Sequence, residues 1–203
     1  SNGLVINQPK VKLRGLGRGA STLSTNSTTM TAVTVINNVQ HWEISGLSFF
    51  ASANQTAGAA IDCAAGALGR IFDVQTYQMF RGIIMSNSVG TKVDHCEFSD
   101  FRGEGILVSG NCNDIYVRDC IMNGAEFATG TPNPASTGIR VVGKAEAMFI
   151  SGCEIILCNE ALFMTGDGTH TGNTPAYSNF SFCYFDSCLD GVIIDRSRNI
   201  TFS

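Results

Sequence analysis

The sequence predicts an all-β fold, a solenoid of short strands stacked coil upon coil, and three observations predict it. Charged residues fill only 15% of the 203 positions and apolar residues 44%, with lysine confined to 10, 12, 92 and 144. Helical surfaces need more Lys, Glu and Leu than that. Runs alternating in polarity with period two are bordered by Gly, Asn and Ser, the pattern of half-buried strands. The third observation is repetition at a period too short for an independent domain.

"WEISGLSF" (42–49) returns as "MFISGCEI" (148–155), and "VDHCEF" (93–98), "VRDCIM" (117–122) and "FSFCYF" (180–185) share its frame. Each has an apolar residue, two variable positions, an anchor, one variable position and another apolar residue. The anchors are Leu47, Cys96, Cys120, Cys153 and Cys183, and from Cys96 they recur at 24, 33 and 30 residues. One further coil runs through "IFDVQTYQMF" (71–80), with its register open by two residues. A second motif follows most anchors: "GILV" (105–108), "GIRVV" (138–142), "ALFM" (161–164) and "GVII" (191–194), with "GIIM" (82–85) in the weaker coil. Units of this size cannot each bury a face alone and must stack. The simplest construction is a single-stranded right-handed parallel β-helix, one domain over 1–203, in which equivalent positions form ladders spaced about 4.8 Å apart.

The ladders decide how the cysteines are read. Cys96, Cys120, Cys153 and Cys183 share one inward position, flanked by Phe98, Met122, Ile155 and Phe185. Cys158 and Cys188 share a second, where Phe101 stands in another coil. Zinc knuckles have tight C-x-x-C spacing with His support, and His41, His95 and His170 are scattered. Small apolar thiols suit such a core, so the cysteines are expected as filling rather than as a metal site or a disulfide framework.

Other classes are disfavoured. A net charge of −4 without a basic stripe argues against nucleic acid. No run approaches the roughly eighteen apolar residues of a membrane span, and "SNGLVINQPK" lacks the basic start and apolar core of a signal peptide. The glycines of "GLGRGAS" are followed by no helix pattern or Lys-Ser/Thr, so no nucleotide loop is expected. No metal or cofactor is expected. "SRNITFS" starts a further coil, and neither end carries a clear polar cap, so the chain is expected to be a piece of a longer protein.

"NCNDIYVRDCIM" and "SRNITFS" resemble the repeats of the pectate-lyase-like right-handed parallel β-helix superfamily. "VKLRGLGRGASTL" (11–23) resembles the opening coil common there, most of all in bacteriophage tailspikes. The resemblance covers almost the whole chain. It implies a virion tail protein that binds and depolymerises a bacterial surface polysaccharide such as a capsule or O-antigen. It also implies assembly as a parallel homotrimer. The alternatives are a secreted monomeric lyase or epimerase, and a non-enzymatic fibre or adhesin. The "NTD…DD…GHG…RIK" set of polygalacturonases is absent, as is the "DH" and "RxPxxR" pair of calcium-dependent pectate lyases.

Candidate chemistry follows from the ladders. Glycoside cleavage needs two carboxyl groups facing one bond. Glu160 and Asp190, each seven residues after its anchor in consecutive coils, are the best stacked pair. Arg140 on the preceding coil suits an anionic sugar, and Asp167 and His170 follow Glu160's strand. Lys92, Tyr116, Phe149 and Asn179 form an outward ladder in which Tyr116 and Phe149 offer a sugar platform. Asp94 beside Arg118 is expected as a surface ion pair of little worth. Insertions at 123–138 and 165–178, rich in Gly, Thr and Pro, are expected as loops walling a groove. Ile84, Leu107, Arg140, Phe163 and Ile193 form an outward, largely apolar stripe, the mark of an interface.

Overall fold

A computed structural model describes residues 3–36, 38–166 and 173–203. Every ladder between its strands is parallel, and no helix occurs among the described residues. A complete coil holds three strands, as in Cys112–Arg118, Ile121–Asn123 and Asn133–Val142, followed by Ala145–Ser151, Glu154–Ile156 and Cys158–Thr165 in the next. The third strands form an eight-stranded sheet. The first and second strands join in a thirteen-stranded sheet, because Glu43–Ala51 and Arg70–Tyr77 run through both positions without a break. This is the expected parallel β-helix.

The register matches the sequence ladders. Leu47 pairs with Val74, which fixes the open coil. Phe98 pairs with Met122, Met122 with Ile155, and Ile155 with Phe185. The core is a column of such residues, with Val93, Val117 and Ile150 on one wall and Ile106, Ile139 and Leu162 on another. Each fully buried aliphatic or aromatic side chain contributes about 1.5–3 kcal/mol.

All eight cysteines are free thiols, six of them buried. Cys120 lies between Cys96 and Cys153, and Cys153 touches Cys183, so the anchors form a continuous thiol column. The stacked Cys120 thiol together with burial pushes Cys153 up to about 12.

The coil turns its corners with left-handed backbone. Immediately before each anchor stand Gly46, Asp73, His95, Asp119, Gly152 and Phe182, all with φ between 52° and 62°. One αL residue bends a strand sharply without interrupting its ladder on either side. Asp, Asn and Gly adopt this conformation at least cost.

The insertion expected over 123–138 is shorter than the sequence suggests. The strand Asn133–Val142 starts inside it, and an antiparallel bridge from Ala125 to Pro132 closes the rest as a small hairpin. Asn133 fixes the end of that hairpin by donating to the Phe101 carbonyl at 3.1 Å. The second insertion is bounded by strands Cys158–Thr165 and Ala176–Ser181.

Candidate functional site

The third strands enter their sheet through a ladder of small residues. Gly82, Gly105, Gly138 and Ala161 face inward, and a Cβ on Gly138 would lie 2.3 Å from Ile155 Cγ2. The residue before each one therefore points outward at the corner. That outward ladder holds Glu104, Thr137, Glu160 and Asp190 in continuous register.

Its members differ in environment. Glu104 is buried against the Arg81 guanidinium and is committed to that pair. Thr137 Oγ1 donates to Glu160 Oε2 at 2.8 Å, and Arg140 Nη1 lies 3.9 Å from the same oxygen. The Glu160 side chain keeps 19% of its surface exposed. Asp190 is open to solvent. The Arg140 guanidinium lies 4.5 Å from the centre of the Phe163 ring. Thr137 is a contact the sequence reasoning did not single out, although its place two residues before Ile139 put it in the ladder.

The structure thus brings Glu160, Asp190 and Arg140 together at one sheet corner. Tyr116 and Phe149 belong to the other sheet, stacked with centroids 5.1 Å apart and planes at 14°, with Lys92 Nζ 5.5 Å from the Tyr116 centroid. The two rings stack in the predicted register, on a different face from the carboxylates. Asp167 and His170 lie outside the described residues.

Asp94 differs from expectation. Its side chain is only 2% exposed, with Arg118 Nε at 2.8 Å and Arg70 Nε at 3.5 Å. Two long side chains from the coils on either side cover the carboxylate, which a single sequence neighbour could not reveal. Asp62 is a second half-hidden carboxylate: it pairs with Ile84, its Oδ1 has no hydrogen-bond partner, and burial pushes its pKa up. Among the described residues no three His, Cys, Asp or Glu side chains converge as metal ligands.

Both insertions border clefts. Asn173 joins Ser109, Asn111 and Lys144 around a volume of about 460 Å³. The 124–133 hairpin, with Tyr77, Ser99, Asp100, Asn123 and Leu157, encloses about 350 Å³. Neither Glu160 nor Asp190 lines either cleft.

Comparison with known proteins agrees with this architecture. The chain matches no curated protein sequence. Among solved structures it resembles ORF18 of Geobacillus virus E2, with 14% identity and a TM-score of 0.56 over 98% of this chain and 51% of that one. It also resembles the gp42 tailspike of Acinetobacter phage vb_AbaP_AS12, with 11% identity and a TM-score of 0.52 over 92% of this chain and 40% of that one. The chain therefore spans about half of the first structure and less of the second, and at these identities the likeness is one of fold. The model of the right handed beta helix region matches residues 81–203, more than half of the sequence, and the chain belongs to that family.

Proposed function

We propose that this chain is the β-helical segment of a tailspike-like receptor-binding protein that binds a bacterial surface polysaccharide and depolymerises it. The carrying observation is the register of Glu160 with Asp190, beside Arg140 and Thr137 on one exposed corner. Adjacent coils set their backbones roughly 4.8 Å apart. Side chains that start from neighbouring strands can bring their carboxyl groups to the roughly 5–5.5 Å separation of a retaining pair. Glu160, which accepts a hydrogen bond from Thr137 and lies beside Arg140, takes the nucleophile role, and Asp190 takes the proton-transfer role. Arg140 is the contact for an anionic sugar. The stacked Tyr116 and Phe149 provide a second polysaccharide contact on the other sheet. The fold likeness to a phage tailspike supports a place on a virion tail.

The proposal includes a homotrimer. Ile84, Leu107, Phe163 and Ile193 share the outward ladder with Arg140 and are half-buried in the single chain. An apolar stripe of this kind suits burial between subunits. Phe163 lies three residues after Glu160, so a trimer would place the carboxylate pair beside a subunit boundary.

The test is depolymerisation of a panel of capsules and O-antigens by the parent protein and its Glu160→Gln and Asp190→Asn variants. Each substitution is expected to cut release of new reducing ends by at least about 100-fold while binding persists. Cleavage that survives both sinks the site assignment. Mass in solution should be three chains for the parent and one for Phe163→Glu; a monomeric parent removes the trimer.

A further inference from the structure

We infer that the cleft beneath the 124–133 hairpin is a binding site for an uncharged pyranose unit, separate from the Glu160 corner. Its walls are aromatic. Tyr77 and Phe127 line the cleft and meet edge-on at 5.8 Å and 80°, and Phe50, outside the lining, stacks on Tyr77 with centroids 5.7 Å apart. Phe127 is 76% exposed on the hairpin. An aromatic ring held over a cleft with so little of itself buried contributes little to the fold and presents a free face.

The floor is polar. Asp100, Ser99 and Asn123 line it, and Glu126 joins from the hairpin. Asp100 is 3% exposed, accepting from Gln78 Nε2 at 3.1 Å and from Asn133 Nδ2 at 3.4 Å. A carboxylate offers about four acceptor sites, so Asp100 retains capacity for ligand hydroxyls. The Tyr77 hydroxyl, protonated at neutral pH, adds a donor beside these acceptors.

The site is also built in advance. Glu126 N donates to the Thr131 carbonyl, the Glu126 carbonyl accepts from Gly130 N, and Asn133 ties the hairpin to the Asp100 corner. A preformed site loses less entropy when the ligand arrives. Its volume of about 350 Å³ sits at the lower end of the roughly 300–1,000 Å³ typical of ligand sites. A pyranose matches both surfaces, with a C–H face for Tyr77 and Phe127 and hydroxyls for the acceptors. Two carboxylates and no cation among the lining residues disfavour a uronic acid.

The inference shares the carbohydrate reading of the chain but not its carboxylate pair. The test is saturation-transfer NMR with methyl β-D-glucopyranoside, methyl β-D-galactopyranoside and methyl β-D-glucuronide, on the parent and on Phe127→Ala. At least one neutral glycoside should bind at millimolar concentration, with the glucuronide at least fivefold weaker. Phe127→Ala should weaken the neutral ligand at least fivefold without changing the thermal midpoint, and Asp100→Asn should narrow the discrimination against glucuronide. No binding of either neutral glycoside, or binding indifferent to Phe127→Ala, overturns the inference. Depolymerisation without monosaccharide binding removes this site alone. Monosaccharide binding without depolymerisation supports it and removes the enzymatic reading alone.

Discussion

Trp42 is the only tryptophan, is 1% exposed, and packs against Gly66 and Gly69 of the following coil. A Cβ at position 69 would stand 2.1 Å from both Cε2 and Cζ2 of the indole, whereas carbon atoms in contact prefer about 3.5–4.0 Å. The ring is enclosed and cannot swing to solvent, so Gly69→Ala must displace the indole or part the two coils. Overpacking of this kind costs about 1–3 kcal/mol, and the lower entropy of unfolded alanine returns only about 0.4–1 kcal/mol. With a net loss of about 1–2 kcal/mol and an m-value near 3 kcal/mol/M, the urea midpoint should fall by roughly 0.3–0.7 M. Trp42 emission follows both the transition and the altered packing. A Gly69→Ala variant with the parent midpoint and unshifted emission would refute the packing argument.

Two more perturbations probe buried chemistry. Asp94→Asn removes the shared carboxylate of Arg70 and Arg118; both arginines are half exposed and stay solvated, so the loss is one charge-assisted hydrogen bond from Arg118 and the ion pair with Arg70, about 1–2 kcal/mol by urea unfolding. An unchanged midpoint would show that the two arginines contribute nothing there. Burial raises the Cys63 and Cys112 thiols, and stacking with burial raises Cys153. A raised folded pKa favours the protonated native state, so this stability is intact below the unfolded thiol value and declines as pH rises beyond it. The decline begins near pH 8.5 at up to about 1.4 kcal/mol per pH unit per thiol. Urea midpoints level between pH 8.5 and 10 would contradict it.

The architecture was legible because stacking makes one position repeat. The Cys anchors and the Gly or Ala near the start of most third-strand motifs fixed the register, and the Glu160–Asp190 pairing followed by counting. The coil at 71–80 was ambiguous because Phe72, apolar in sequence, points outward with its ring 5.5 Å from that of His95. The αL corners left no uniform signature, since His95 and Phe182 stand at two of them where Gly or Asp stands at the others. The environment of Asp94 depends on arginines 24 residues away on either side. The hairpin cleft joins Tyr77 to Phe127 across 50 residues. Contacts created by side-chain length or by an insertion folding back have no period to betray them.

The corner column carries a consequence for how such a protein can change. Gly46, Asp73, His95, Asp119, Gly152 and Phe182 occupy the same bend with nearly the same φ. An absent side chain, a carboxylate, an imidazole and a phenyl ring all stand at this bend, because the backbone makes the turn. Shape and surface chemistry are decoupled along this edge. A coil can exchange its outward group for one suited to a different glycan while the strands on either side keep their places.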